Sequence, residues 1–448
     1  MRADKDNNRN DDDRDDDDRS NCDDQYHLKD ITLRDAAYQE GSLWFLPVHS
    51  VVDNTFCLFA ELPLRTIERD YIVMTQYTLH TSSLYDPLVK QVRQNVSITV
   101  DSATGLIVRV FERNDEEQSF SRILQERDID LRGKDLGSEG MQECDANLRD
   151  AIARGLTPGP RLFVATKVIA STGSFEPRTE NSAGGHCLLA GADAVDGVEQ
   201  CRETVRRRIA AGADVIKFFA DYRRRIMRSP HAQQHPYIPS VLHSPKEPNP
   251  DYLVFSQEEM NMIVKEAELV GAPVSAHCCT LKGALAAIEA GVNTIEHVYF
   301  GNDDMFMRMI DKGVIMVPTL AIAEKLHAHR FDQILKQVKR AHDLGVRLAC
   351  GGDTGTYPHG DNVRELELMI EAGIPVVDVL ESWTVGGWEA CGGNLCGRRF
   401  GWFAEGLQAD IVAFDEDPEK NKQALRSVSF VMKDAKVWKE GGIARDMH

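Results

Sequence analysis

Four residues in the middle of the chain could take part in metal chemistry. Lys217 lies inside a short apolar run, His277 and His297 each end one, and Asp353 follows another in a glycine-flanked turn. Imidazole nitrogens and carboxylate oxygens are donors for zinc and similar divalent ions. A lysine ammonium inside an apolar strand must be neutralised or reach water, because burial of an unpaired charge is costly. The set therefore predicts a metal site.

Each residue also has an ordinary explanation. Lys217 could extend its ammonium to water from a strand end, each histidine could be a hydrogen-bonded core residue, and Asp353 could cap a helix or turn. The combination favours a metal, because the carboxyl ends of neighbouring parallel strands lie close enough for two imidazoles to reach one cation.

The elements that would position these residues alternate between strand and helix. The apolar runs are Leu162–Ala170, Val215–Phe219, Val274–His277, Thr294–His297, Ile315–Leu320 and Leu348–Gly351. Helical periodicity covers Ala146–Arg154, Val195–Ala211, Gln257–Val270, Leu281–Ala290, Ala323–Leu344 and Val376–Ala390. This alternation predicts an α/β fold with a parallel sheet, of the (β/α)8 barrel type, although six strands are recognisable where a closed barrel has eight.

Segments rich in β-strand flank this middle part. Val96–Val100 and Leu106–Phe111 form a predicted hairpin about Thr104 and Gly105, and strands are predicted at Ala409–Phe414 and Ser427–Met432. We therefore expect a small composite β domain from residues 71–134 and 407–440, and a barrel from residues 135–406. Residues 1–30 are predicted to be a disordered acidic tail, and residues 31–70 have no assigned role.

Composition limits the function classes. The chain has 448 residues, 42% of them apolar, and a formal net charge of -19. This charge disfavours nucleic acid and anionic membrane surfaces, and Arg223–Arg225 is too short a basic run to overcome it. No apolar run is long enough to span a membrane, and residues 1–30 lack the apolar core of a signal peptide. The ten cysteines are interpreted as reduced thiols, so a cytoplasmic protein is expected.

The chain resembles the amidohydrolase superfamily, in the branch of imidazolonepropionases and metal-dependent Xaa-Pro dipeptidases. The resemblance covers about residues 136–439. It is carried by Ala213–Lys217, Thr294–His297, Gly352-Asp353 and the strand Ala409–Val412. It implies a (β/α)8 barrel and hydrolysis of a carbon–nitrogen bond in a small amide, cyclic amide or dipeptide-like substrate. A GxGxxG or GxxxxGK[ST] turn, which would favour a nucleotide-binding open sheet, does not occur.

The resemblance also implies residue roles. Lys217 would carry a carbamate that bridges two zinc or similar divalent ions. Asp353 would be a ligand of the first ion, and His277 and His297 would be ligands of the second. Asp353 would accept a proton from the metal-activated water and return it to the leaving nitrogen. Tyr222, Arg223 and His359, on loops after the strands, would contact a small-molecule substrate, although their position alone also fits ordinary surface residues.

The sequence departs from the family at one place. In the family the first barrel strand ends in His-X-His, and no such pair occurs at the expected place in this sequence. The i, i+2 pair His327 and His329 lies in a stretch predicted to be helical, where such side chains point apart, so it cannot substitute. Asp135 follows Lys134 at a point where the family pattern has a strand, a helix and most of a second strand. A skipped coding segment or a short isoform would explain this.

The departure leaves two functional hypotheses. One is a metal-dependent amidohydrolase that holds a single metal ion. The other is a catalytically impaired or inactive relative that folds poorly or acts only as an oligomer partner. Metal content together with amide hydrolysis would discriminate them.

Overall fold

A parallel sheet occupies the middle of the chain, with antiparallel sheets before and after it in sequence. The computed structural model describes residues 75–113, 132–138, 141–174, 191–223, 233–234, 242–243, 251–354 and 357–445. These ranges all belong to one unit, Tyr71–His448. The predicted acidic tail and the unassigned segment 31–70 lie outside the described residues.

The elements are as follows. The strands are β1 (Gln76–Asp86), β2 (Gln91–Asp101), β3 (Leu106–Glu112), β4 (Arg132–Asp135), β5 (Arg161–Val164), β6 (Val168–Ala170), β7 (Ala192–Ala194), β8 (Ile216–Phe219), β9 (Asp221–Arg223), β10 (Gln233–Gln234), β11 (Leu242–His243), β12 (Asp251–Leu253), β13 (Val274–Cys278), β14 (Thr294–His297), β15 (Ile315–Val317), β16 (Ile411–Phe414), β17 (Val428–Lys433), β18 (Lys436–Glu440) and β19 (Ile443–Ala444). The α-helices are α1 (Cys144–Ala153), α2 (Val198–Ala210), α3 (Gln257–Glu268), α4 (Leu281–Ala290), α5 (Asp303–Lys312), α6 (Leu320–Leu326), α7 (Phe331–Leu344), α8 (Val363–Glu371), α9 (Val376–Trp383) and α10 (Val385–Ala390).

The central sheet has six strands in the order β15-β14-β13-β8-β6-β7, and each neighbouring pair is parallel. The predicted α/β class with a parallel sheet is confirmed. β4 and β5 form a separate parallel pair. In the part of the chain that the structure describes, the ladder runs from β15 to β7 without joining into a ring. Closure into a barrel therefore stays a prediction.

The observed strands differ in detail from the predicted ones. The run Leu162–Ala170 is two strands, because the backbone turns at Thr166, whose φ is 58°. The run that begins at Leu348 is not a strand and makes only an isolated parallel bridge to Met316. The sixth strand of the sheet is instead β7, which has three residues and was not predicted.

Two predicted helices are broken, and two observed helices were not predicted. The stretch predicted from Ala323 to Leu344 is interrupted at His327, which has φ -125° and ψ 33°. The stretch Val376–Ala390 is interrupted at Thr384, which has φ -100° and ψ -84°. The unpredicted helices are α5 and α8, although Asn302 caps the start of α5 by accepting the Met305 N–H.

The two antiparallel sheets share one apolar cluster. β1, β2 and β3 form a three-stranded sheet, which confirms the predicted hairpin, and β16 to β19 form a four-stranded sheet. Val96 and Ile98 from the first sheet pack in the same cluster as Ile411 and Met432 from the second. The limits proposed for a composite domain stay a prediction. The hypothesised junction between Lys134 and Asp135 lies within β4.

Among the described residues, every helix is too short or too polar to cross a lipid bilayer. The seven cysteines in these ranges are free thiols.

Candidate metal centre

The register between β8 and β13 places four side chains on the same face of the sheet. Lys217 pairs with Ser275, and Phe219 pairs with His277. Because side chains alternate along a strand, all four point to one face, with His277 and Phe219 nearer the carboxyl end than Lys217. The opposite face carries apolar residues that pack in the main core, such as Phe218 and Ala276.

The buried Lys217 ammonium is neutralised by Glu296, on the strand beyond β13. The two side chains form an ion pair in which both partners are buried. Thr294 donates to Glu296 Oε1 over 2.6 Å, and the Thr294 hydroxyl also lies 2.7 Å from the Ser275 hydroxyl. The sequence predicted that Lys217 needs a partner but did not identify Glu296 as that partner. The position of Glu296 within an apolar strand was the feature that could have identified it.

The backbone at His297 turns its side chain toward that of His277. Regular alternation would point Glu296 and His297 to opposite faces, but His297 has φ 78° and Val298 has φ 48°. The His277 and His297 rings consequently lie 4.5 Å apart, centroid to centroid. Thr319, which follows β15, and Asp353, which follows the Leu348–Gly351 run, also have positive φ. Such conformations are unfavourable for residues other than glycine and cluster at functional sites.

Hydrogen bonds fix the orientation of the His297 ring. Its Nδ1 lies 2.8 Å from the Thr319 hydroxyl, and the Tyr299 hydroxyl lies 3.0 Å from that of Thr319. When Nδ1–H donates to Thr319, the lone pair of Nε2 is available to a metal. Burial lowers the pKa of His297 to about 4, against the opposing effect of the Asp353 charge. His297 is therefore neutral at pH 7, as a metal ligand must be.

His277 is partly buried and lies between aromatic rings and a thiol. Its ring centroid is 4.4 Å from that of Phe219 and 5.7 Å from that of Tyr222. Its Nε2 lies 3.3 Å from Cys279 Sγ. Phe219 and Tyr222 thus form an apolar wall on one side of the imidazole.

Asp221 lies beside this imidazole and is fully buried. Its carboxylate accepts the N–H groups of Cys279 and Thr280 over 2.8 and 2.9 Å, and the Thr280 hydroxyl over 2.6 Å. Burial raises its pKa to about 6. Donor atoms of Asp221, His277 and Cys279 all lie within 4.8 Å of one another. Asp221 and Cys279 were not among the predicted site residues, although both continue the i, i+2 series of their strands.

The other residues singled out in the sequence have different placements. Asp353 is exposed in the turn after Gly352, and its charge acts on His297. Tyr222 lies against Phe219 and His277. The Arg223 backbone is in β9, but its side chain lies outside the described residues. His359 is exposed on a turn, and in the described ranges no hydrogen bond or ion pair joins it to the centre.

His327 and His329 do not share a helix, so that prediction was wrong. α6 ends at Leu326, and His329 lies in a 3-10 turn. The His327 ring packs 5.2 Å from the Tyr299 ring, centroid to centroid, and Tyr299 in turn contacts His297. His327 therefore lies one side chain away from the candidate ligands.

Comparison with known proteins assigns this arrangement to a family. The sequence profile of the amidohydrolase family matches residues 135–443. The chain belongs to the amidohydrolase family. This confirms the resemblance drawn from the motifs and identifies the parallel sheet as that of an amidohydrolase.

Relatives of this amidohydrolase include a named enzyme and an uncharacterised protein. Ochratoxinase from Aspergillus niger is 29% identical over 299 residues, which are 62% of this chain and 56% of ochratoxinase. The chain thus spans little more than half the length of that relative. An uncharacterised protein of Mycobacterium tuberculosis is 24% identical over 201 residues, which are 40% of this chain and 51% of that protein.

Solved structures share the fold. A Xaa-Pro dipeptidase with bound methionine has a TM-score of 0.65 at 24% identity, covering 81% of this chain and 100% of the other. The A. niger ochratoxinase structure has a TM-score of 0.66 at 21% identity, covering 84% and 98%. Molinate hydrolase has a TM-score of 0.61 at 14% identity, covering 80% and 94%. At these identities the similarity establishes the fold.

Proposed function

We propose that this amidohydrolase hydrolyses a carbon–nitrogen bond in a small amide, cyclic amide or dipeptide-like substrate, with a divalent metal ion that activates water. One observation carries the proposal. Two imidazole rings lie 4.5 Å apart at the carboxyl ends of adjacent parallel strands, directly beyond a buried lysine. Active sites of this fold form at that end of the strands. The similarity to ochratoxinase and to a Xaa-Pro dipeptidase gives independent support.

The donor set fits a zinc-type ion. His277 and His297 would supply imidazole nitrogens, and the neutral state of His297 matches that role. Lys217, once carboxylated, would supply a carbamate oxygen in the same region. The Lys217 ammonium forms an ion pair with Glu296. When bound, the metal polarises the amide carbonyl and lowers the pKa of water.

The protein's own side chains have separate tasks in this proposal. Asp353 takes the proton of the attacking water and gives it to the leaving nitrogen, a transfer that suits its exposed place near His297. Thr319 holds the tautomer of His297. Phe219 and Tyr222 form an apolar wall for the substrate. Arg223 and His359 are proposed substrate contacts from their loop positions alone.

A second candidate function follows from the missing His-X-His pair. Asp353 and Lys217 alone offer too few donors for a second tight zinc site. The chain would then bind one metal ion, or none, and would be a catalytically impaired amidohydrolase. Its cellular role would rest on association with other copies or relatives.

Metal content and hydrolysis test the two candidates together. The full chain is purified, dialysed against chelator, reloaded with zinc, and assayed with N-acyl amino acids and dipeptides. The proposal predicts zinc-dependent hydrolysis that is lost in His297→Ala and kept in His329→Ala, a histidine outside the centre. Soluble, metal-free protein without hydrolysis would support the impaired relative.

A further inference from the structure

The thiol of Cys279 lies in the candidate centre and has no part in the function proposed above. Its Sγ is 3.3 Å from Nε2 of His277. Cys278, the preceding residue, is buried on the opposite face in the main core. The two adjacent cysteines therefore differ in environment.

A buried clamp fixes the position of Cys279. Its N–H donates to Asp221, whose carboxylate is fully buried and also binds Thr280. Asp221 lies so close to α4 that a Cβ on Gly283 would be 1.9 Å from its Oδ2. Since three donors already occupy the carboxylate, Asp221 acts as a positioning residue for the Cys279 turn.

The His297 imidazole is the ring neighbour of His277. It is only 8% exposed, and its ring lies 4.5 Å from that of His277, centroid to centroid. Within the described ranges, the hydrogen bonds of its imidazole involve Nδ1. These hydrogen bonds leave the other nitrogen, Nε2, available to a metal ion.

The spacing fits two donors of one metal ion. With usual zinc–sulfur and zinc–nitrogen bond lengths and tetrahedral angles, a sulfur and a nitrogen on one zinc ion are about 3.6 Å apart. The 3.3 Å between Cys279 Sγ and His277 Nε2 is close to that value. Three protein donors and one open position are the usual composition of a catalytic zinc site.

We propose that Cys279 is a sulfur ligand, with His277 and His297, of the metal ion in this centre. As the metal–sulfur bond forms, the thiol releases its proton to solvent. The sulfur donor biases the site toward zinc, because thiolates prefer softer ions to magnesium or manganese. The inference rests on the proposed function only in placing a metal at the same histidines.

Cobalt substitution tests the sulfur ligand without relying on catalysis. The full chain, freed of metal by chelator, is titrated with Co²⁺ and its absorption spectrum is recorded. The wild type is expected to develop a near-ultraviolet thiolate-to-cobalt charge-transfer band. Cys279→Ser should lose the band, and Cys278→Ala, the matched control, should retain it. The zinc affinity of Cys279→Ser should fall by more than about tenfold, because losing even an outer-shell hydrogen-bond partner of a ligand usually lowers metal affinity by at least that factor.

A second measurement uses the native chain and so does not depend on a variant that folds. Iodoacetamide labelling is followed by peptide mass spectrometry, with and without zinc. Zinc is expected to slow alkylation of Cys279 severalfold and to leave the partly exposed Cys396 unchanged. Cobalt binding without the band, or alkylation of Cys279 that zinc does not slow, would overturn the inference. Zinc-dependent hydrolysis with no band would refute the sulfur ligand alone, and a band without hydrolysis would refute the proposed reaction alone.

Discussion

Lys217 and Glu296 form an ion pair across the inner face of the parallel sheet, with β13 between their strands. Both side chains are buried, and the Thr294 hydroxyl donates to the same carboxylate. Burying a charged side chain without a partner is costly. The pair therefore holds the lysine that the proposed centre uses, and removing one partner alone would leave a buried charge unpaired.

Replacing Glu296 with Gln should destabilise the metal-free chain by about 3–5 kcal/mol, because it leaves the buried ammonium unpaired. Urea unfolding measures this change. Glu289→Gln is the control, since Glu289 pairs with Lys312 at the surface and its loss should cost less than about 1 kcal/mol. Equal effects of the two substitutions would contradict a buried pair. With zinc and bicarbonate present, a carbamate on Lys217 should shrink the cost of Glu296→Gln.

Thr319→Val should weaken zinc binding by about 10–100-fold, the usual effect of removing an outer-shell hydrogen bond from a metal-bound histidine. Valine keeps the shape of threonine but removes the hydroxyl 2.8 Å from His297 Nδ1. Competition with a chromogenic chelator measures the affinity. Tyr299→Phe, whose lost hydroxyl is 3.4 Å from that nitrogen, should have a smaller effect. An unchanged affinity in Thr319→Val would show that Thr319 does not orient a metal ligand.

Gly283→Ala should destabilise the chain by about 1–3 kcal/mol, since the new Cβ would overlap the Asp221 carboxylate. Gly387→Ala is the matched control. Gly387 is also helical, a Cβ added there would meet nothing within 4 Å, and alanine should stabilise the chain by up to about 1 kcal/mol. Thermal unfolding should move in opposite directions for the two variants. A neutral Gly283→Ala would show that Asp221 does not clamp α4.

Glu365 should make stability fall as pH rises. It is fully buried, it accepts the N–H groups of Leu320 and Ala321, and burial raises its pKa from 4.5 to about 8. Between these two values the folded chain keeps a proton that the unfolded chain releases, so the unfolding free energy decreases with pH, by at most about 1.4 kcal/mol per pH unit. Urea unfolding of wild type and Glu365→Gln across this window checks the sign. Equal pH slopes in the two proteins would contradict the raised pKa.

Local sequence signals predicted the elements that have clear boundaries. α4 was predicted from helical periodicity at its observed limits. In the structure the Thr280 side chain caps its start and Gly291 ends it in the left-handed conformation, so the periodic stretch and the helix coincide. The stretch from Ala323 to Leu344 kept helical periodicity across a break at His327, which periodicity cannot detect. β7 is too short for its pattern to stand out from a loop.

The candidate site was predictable only in part. His277 and His297 were found because they end apolar runs, a position that the fold makes functional. The left-handed backbone of His297 was not predictable from the sequence, since it depends on packing around the strand end. Regular alternation along the strand would place Glu296 and His297 on opposite faces of the sheet. Once His297 was assigned to the centre, Glu296 could therefore not be identified as part of the same centre. Cys279 and Asp221 depend on the register of β8 and β13, which only the structure gives.

His277 and His297 are proposed to hold a metal ion that supports amide hydrolysis. This proposal is tested most directly by measuring zinc content and hydrolysis on the same protein. Zinc per chain is measured by elemental analysis alongside hydrolysis of N-acyl amino acids. We expect at least one zinc ion per chain, zinc-dependent hydrolysis, and loss of both in a His277→Asn, His297→Asn double variant that still folds. Stoichiometric zinc and full activity in that double variant would contradict the proposed centre.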